Sequence, residues 1–150
     1  MTTSALAAAI IVGGATAALA GGGTIRAEAA AAGDAVTCRQ AALRNLKPTE
    51  RTTFACHVPS ALVGHPLEVF ANVGVFNTNF ARTSCTLSDG RQLSSGTHEE
   101  GTGGISLQLA LESSAAAIDV TCFAQGGTGA QLTGTHVTGI AVGSLTTHTL

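Results

Sequence analysis

Residues 85–122 read CTLSDGRQLSSGTHEEGTGGISLQLALESSAAAIDVTC, and this stretch decides the fold class. A short alternating run leads into Asp89-Gly90, a dipeptide that favours a two-residue hairpin turn. Two more alternating runs follow, residues 105–111 and 118–122, and a cysteine stands at each end of the stretch. The pattern predicts a block of antiparallel sheet with a disulfide bond across it.

The same period of two continues on either side of this block. Residues 67–76, LEVFANVGVF, place five apolar residues on one face, namely Leu67, Val69, Ala71, Val73 and Val75. Their other face still carries Phe70 and Phe76, which a neighbour or partner could cover. Residues 52–58 and 81–87 alternate as well, and a last strand is expected over 136–145 with Ile140 and Val142 in the core. Residues 94–104 and 125–129 are rich in glycine and are expected to form loops.

A single helix is predicted beyond the N-terminal segment. In CRQAALRNLKPTE, residues 38–50, the residues Ala42, Leu43 and Leu46 stand near helical spacing, and Pro48 would end the helix. Six or seven short strands without crossover helices predict an all-β fold. The expected architecture is an antiparallel β-sandwich or jelly-roll-like domain with an N-terminal apolar leader and one short helix.

The N-terminal residues resemble an export signal. Residues 5–20 form an uncharged apolar run, shorter than the roughly 20 residues that span a bilayer. Ala18-Leu19-Ala20 and Ala27-Glu28-Ala29 both fit an A-x-A cleavage pattern, although no basic residue precedes the run. The sequence therefore predicts a signal-peptide-like segment and a Gly/Ala-rich linker over residues 1–35, followed by one domain over residues 36–150. The alternative is a retained apolar helix, buried in an assembly or a membrane.

Four cysteines bear on the compartment: Cys38, Cys56, Cys85 and Cys122. No two of them have C-x-x-C spacing, so neither a zinc knuckle nor a redox pair is encoded. In an exported chain the even number predicts two structural disulfides. Three connectivities exist, and we favour Cys38–Cys56 with Cys85–Cys122 because each pair flanks one coherent block. Four reduced, buried cysteines in a cytosolic protein are the alternative.

Composition excludes or disfavours several kinds of partner. The net charge is −2 and no basic run exists, so a nucleic-acid partner is not expected. The chain has five Phe but no Tyr and no Trp, which disfavours a module that stacks aromatic rings on its ligand. Five of the seven basic residues lie between Arg26 and Arg51. They could form a weakly basic contact face, although a solvated segment is the simpler interpretation.

Motifs for chemistry are missing from the sequence. The chain contains no G-x-S-x-G, H-E-x-x-H, P-loop or G-x-G-x-x-G motif, so we predict no enzyme, no catalytic residue and no cofactor. The most polar cluster is Thr97-His98-Glu99-Glu100. His98, Glu99 and Glu100 could donate to a metal ion, but a further ligand would have to come from elsewhere. A solvated loop tip is the simpler interpretation.

The last 65 residues carry a resemblance. CTLSDG, ISLQLAL, IDVTC and THVTGIAVGSL, together with a Gly-rich loop, resemble uncharacterised small secreted β-sandwich proteins of high-GC Gram-positive bacteria. The resemblance implies the fold and export, and it implies no activity or site residue.

These observations predict an exported, non-catalytic structural or interaction protein at the cell exterior, secreted or held at the cell surface. A protein partner or self-association is expected, with membrane contact only through the leader if it is retained. One alternative is a subunit of an extracellular filament or virion shell that keeps its N-terminal segment. Another is a small secreted enzyme or metal-binding protein.

Overall fold

A computed structural model describes the backbone of residues 23–28, 30–32 and 35–141, and the side chains of residues 35–141. The described chain is all-β. Its strands are β1 (Gly23–Glu28), β2 (Ala30–Ala32), β3 (Ala35–Gln40), β4 (Arg44–Leu46), β5 (Arg51–His57), β6 (Leu67–Asn77), β7 (Arg82–Ser88), β8 (Leu93–His98), β9 (Gly101–Leu111), β10 (Ala117–Gln125) and β11 (Ala130–Ala141). Within these residues no helix is long and apolar enough to cross a bilayer.

The strands form two sheets. Sheet A has the order β1-β5-β10-β7-β8, and sheet B has the order β2-β3-β11-β6-β9, with β4 also paired to β11. Every pairing is antiparallel except that of β1 with β5. One core contains buried side chains from both sheets, so the fold is a β-sandwich, as the sequence predicts.

The alternating pattern places the core residues as expected. On β6, the five apolar residues of the predicted inward face are all buried, and the residues between them are exposed or half-buried. On β9, Ile105, Leu107, Leu109 and Leu111 are buried in the same way. A period of two therefore identifies the core face of β6 and of β9, where apolar residues occupy every second position.

The predicted helix over residues 38–50 is wrong. These residues form the end of β3, a bend and β4, and Leu46 of β4 pairs with Ala130 of β11. The three residues near helical spacing do not share a buried face, because Leu43 is 56% exposed while Leu46 lies in the core. So short a periodic run carries little helix propensity, and pairing with β11 decides the structure instead.

The loop predicted over residues 94–104 is also wrong. It contains most of β8, a two-residue turn at Glu99-Glu100 and the start of β9. β8 is the last strand of sheet A and half of its residues are exposed, so it needs no apolar face and shows none in its sequence. The hairpin before it forms at Asp89-Gly90, but its loop has four residues, 89–92, because Ser88 pairs with Leu93.

Strand β11 differs from the prediction in its register. Ile140, predicted to lie in the core, is 39% exposed, whereas Leu132 and Val137 are buried. The pairing of β11 with β6 shifts between Leu132 and Gly134, which is a β-bulge. The predicted strand begins after the bulge, and its apolar residues lie on both faces, so the alternation does not show that Val137 rather than Ile140 faces inward. Val142 lies outside the described residues.

The N-terminal predictions fall mostly outside the described residues. The apolar run over residues 5–20 is among them. Part of the segment predicted as a linker, residues 21–35, instead forms β1 and β2, which pair with β5 and β3. The boundary between residues 35 and 36 falls inside β3, while the division of the chain into leader and domain stays a prediction.

Candidate functional site

The candidate surface is the outer face of sheet B, which we define as the side of β3, β11, β6 and β9 that points away from the core. On β6 it carries Phe70, Asn72, Gly74 and Phe76, whose exposure alternates with that of the buried residues between them. The register with β9 and β11 arranges the other side chains of this face in rows across the sheet. The face is therefore built from segments that are far apart in the sequence.

Two aromatic rings lie on this face. Phe70 is 38% exposed and Phe76 is 43% exposed, so each ring has one side packed and one side in solvent. Their positions on β6 differ by six residues, which separates them by about 20 Å at 3.3 Å per residue. No described strand covers them, because both sheets pack through their other face.

Between the two rings runs a polar row. Arg39 of β3 pairs with His136 of β11, His136 pairs with Asn72 of β6, and Asn72 pairs with Ser106 of β9. The Ser106 hydroxyl donates to Asn72 Oδ1 at 2.8 Å. A shallow depression of about 280 Å³ lies at this row, lined by Arg39, Asn72, His136 and the residues of the bulge in β11.

A second depression, of about 260 Å³, lies beside Phe76 at the end of the sheet. Asn45 and Gln131 line it and are joined to each other, since Gln131 Nε2 donates to Asn45 Oδ1 at 2.9 Å. Lys47 also lines it. Both depressions are open and shallow, which suits a ligand that lies along the surface better than a small molecule that is enclosed.

Three glycines lie in register between the depressions. Gly134 of β11 pairs with Gly74 of β6, and Gly74 pairs with Gly104 of β9. At Gly74 the missing side chain has a clear reason, because a Cβ there would collide with the hydroxyl of Thr133 in the bulge. The glycine therefore allows the bulge to lie flat against β6.

The cluster predicted as a possible metal site lies at the corner between β8 and β9. Glu99 forms an ion pair with Arg82, with Nε and Oε1 3.3 Å apart, and the His98 ring packs against Gly103. Glu100 is exposed in the turn. Across residues 35–141, no three His, Cys, Asp or Glu side chains come close enough to hold a metal ion. Among the described residues, the structure therefore brings no further ligand to His98, Glu99 and Glu100.

This corner is held by a buried amide instead. Asn77, at the end of β6, donates through Nδ2 to the carbonyl oxygens of His98 and Glu99 at 2.8 and 2.6 Å. Its Oδ1 accepts a hydrogen bond from the buried hydroxyl of Thr83. Asn77 uses all the donors of its amide, which fixes the turn between the sheets. The corner is thus part of the scaffold.

The two disulfides also belong to the scaffold. Cys38 of β3 is bonded to Cys56 of β5 and so joins sheet B to sheet A, with the Cα atoms 5.7 Å apart. Cys85 and Cys122 are bonded directly across β7 and β10 within sheet A. This is the connectivity that we favoured from the sequence. Disulfides of this kind are typical of proteins in oxidising compartments, and all four cysteines are buried.

The four basic residues between positions 39 and 51 do not form one contact face. Arg44 is buried, with 3% of its surface exposed, and Arg51 lies over the Phe123 ring in sheet A, 5.6 Å from its centroid. Arg39 and Lys47 each line one of the depressions of sheet B.

Sequence reasoning missed Asn72 and His136 altogether. The one available signal was the polar residue between two phenylalanines on the outward face of residues 67–76.

Comparisons with known proteins place the fold only distantly. No protein-family model matches the sequence, and no curated protein is similar to it. Among solved structures the chain is similar to TmCBM61 in complex with β-1,4-galactotriose, with a TM-score of 0.37, 14% identity, and coverage of 72% of this chain and 70% of that one. It is also similar to the mosquito-larvicidal Cry4Aa toxin from Bacillus thuringiensis, with a TM-score of 0.39, 6% identity, and coverage of 79% of this chain and 24% of that one. At these scores no role is transferred.

Proposed function

We propose that this protein is a non-catalytic binding protein of the cell exterior, and that it binds an extended polysaccharide on the outer face of sheet B. The observation that carries the proposal is the placement of Phe70 and Phe76 on one open face, about 20 Å apart along β6, with polar side chains between them.

The chemistry of the face suits such a ligand. A polysaccharide offers hydroxyl groups along its length and apolar ring faces between them. Asn72, His136 and Gln131 supply hydrogen-bonding groups, and the half-exposed phenylalanines supply apolar surface. The absence of Tyr and Trp lowers the expected affinity, because Phe offers no polar tip, but it leaves the apolar contact in place.

The test is binding to a panel of polysaccharides, neutral and acidic, by affinity gel electrophoresis. At least one polymer should retard the wild-type protein, and the double variant Phe70→Ala, Phe76→Ala should lose most of that retardation. The matched control is Phe80→Ala. Phe80 is 86% exposed in the turn after β6 and belongs to none of the strands that form the outer face, so its removal should leave binding unchanged. Equal retardation of all variants, or none by any polymer, would refute the proposal.

A second candidate function, a subunit of an extracellular assembly, is favoured by the edge strand β9. It is the last strand of sheet B among the described residues, and its 11 residues include no charge and no proline. Edge strands normally carry such residues to prevent pairing with other chains.

If β9 pairs between copies, light scattering will show a mass that rises with concentration, and Ala110→Lys will return the monomer. Ala116→Lys, in the loop after β9, is the control that should leave assembly intact.

A further inference from the structure

We infer that the middle of the outer face of sheet B holds a carboxylate or sulfate group of an acidic polysaccharide, bound by Arg39, His136 and Asn72. The inference rests on the proposed function, since it names the chemistry of the polymer that this face would bind.

The register brings the three side chains together. Arg39 lies opposite His136, and His136 lies opposite Asn72, on three successive strands. Neighbouring strands are about 4.8 Å apart, so the row spans about 10 Å. All three residues line the same depression, which the bulge at Thr133 opens beside them. The row can therefore contact one small group of a ligand from several sides.

The groups in this row are chiefly hydrogen-bond donors. Asn72 Oδ1 already accepts from Ser106, which leaves the Nδ2 donors of the same amide for a ligand. The Arg39 guanidinium donates only, and no carboxylate of the described residues forms an ion pair with it. His136 adds an N–H group of its imidazole ring. A group that offers only acceptor oxygens and negative charge is the complement of such a row.

None of the strands that form this face places a carboxylate beside the row. Within β3, β6, β9 and β11 the only carboxylate is that of Glu68. It accepts a hydrogen bond from Gln108 Nε2, and it lies four residues from Asn72, about 13 Å along β6. Although the chain as a whole has a net charge of −2, the depression is locally positive.

The position on the face of the sheet favours a polysaccharide over an acidic peptide. An extended peptide usually binds a sheet through its edge, where main-chain N–H and C=O groups are free. On the outer face of sheet B those groups are already used in strand pairing, and only side chains are offered. Hydroxyl and carboxylate or sulfate groups of a sugar chain are suited to side-chain donors.

The experiment measures dissociation constants by calorimetry for four polymers: polygalacturonate, dextran sulfate, neutral dextran and poly-L-glutamate. The wild-type protein should bind one of the two acidic polysaccharides at least tenfold more tightly than dextran, and the affinity should fall in 500 mM NaCl because salt screens the exposed charges. Arg39→Gln should weaken that binding about tenfold, because a charge-assisted hydrogen bond is lost. Arg39→Lys should recover part of it. Arg91→Gln, in the exposed loop between β7 and β8, is the matched control and should bind like wild type.

Each outcome separates the two proposals. If neutral dextran binds as tightly as the acidic polymers and Arg39→Gln has no effect, this inference is overturned while the proposed function stands. If poly-L-glutamate binds as tightly as the more tightly bound of the two acidic polysaccharides, the assignment to a polysaccharide is overturned. If Arg39→Gln and Arg91→Gln lose affinity equally, the polymer is attracted only by the net charge of the protein, and the assignment to this row is overturned. If free acetate or sulfate displaces the polymer at an equal concentration of charged groups, the row binds a free anion and the inference fails. Absence of binding to all four polymers contradicts both proposals.

Discussion

Replacing Asn77 by alanine should loosen the corner where the chain passes from sheet A to sheet B. The side chain is 2% exposed and makes three hydrogen bonds, two as donor and one as acceptor. The two bonds to the turn carbonyls contribute about 1 kcal/mol each. The Thr83 hydroxyl is fully buried and would lose its acceptor, at a cost of about 1 to 3 kcal/mol. We therefore expect the free energy of unfolding to fall by about 3 to 5 kcal/mol.

A double-mutant cycle tests whether the buried hydroxyl causes part of this loss. Thr83→Val keeps the shape of the side chain and removes the hydroxyl, so in the Asn77→Ala background no donor is left without an acceptor. The double variant should be more stable than the sum of the two single effects implies, by about 1 to 2 kcal/mol. Urea unfolding of the oxidised protein measures all three variants.

Asn45→Ala is the matched control for this cycle. Asn45 also lies in a strand and accepts one side-chain hydrogen bond, but it is exposed. Its replacement should change the free energy of unfolding by less than about 0.5 kcal/mol. The reasoning is refuted if Asn77→Ala costs less than about 1 kcal/mol, or if its effect and that of Thr83→Val are additive.

Three further variants test other parts of the scaffold. Arg44→Met should raise the free energy of unfolding by about 1 kcal/mol or more, because two buried nitrogens of Arg44, Nε and Nη1, have no hydrogen-bond partner among the described residues. A variant that unfolds at a lower urea concentration than wild type would contradict this. Replacing Cys85 and Cys122 together by alanine should lower the free energy of unfolding by about 4 kcal/mol, since the disulfide closes a long loop in the unfolded chain. A loss under about 1 kcal/mol would argue against this loop-closure effect. Gly129→Ala should lower the melting temperature far more than Gly90→Ala. Both glycines have positive φ, but of the two only Gly129 lies against a backbone carbonyl, that of the last residue of β4, with which a Cβ would collide. Equal shifts in melting temperature would exclude this collision as the cause.

The sequence predicts the core of this fold well in strands with a clear period of two, such as β6 and β9. The inward face of β6 follows directly from its apolar residues at every second position. β8 was missed because an exposed edge strand built of Ser, Gly and Thr has no apolar face to reveal it. The error at Ile140 has a different cause, since Val137 and Ile140 are both apolar and lie on opposite faces of β11, so the sequence does not show which of them faces the core.

The candidate site lies further from what a sequence can predict. Arg39, Asn72 and His136 are separated by more than thirty residues from one to the next, and no local pattern links them. They meet only because β3, β11 and β6 are neighbours with one particular register. Strand order and register come from how the whole chain packs, so the polar residues of each strand can be identified from the sequence but their common row cannot.

The bulge in β11 also divides the outer face of sheet B into two parts that can change separately. Before the bulge, β11 pairs with the short strand β4, and after it β11 pairs with β3. A bend over residues 41–43 separates β3 from β4 at the same level. Mutations that reshape the depression beside Phe76 therefore need not disturb the row at Arg39. Variants of this protein could retain one half of the surface while the other half acquires a different preference, and a library made for binding can randomise the two halves independently.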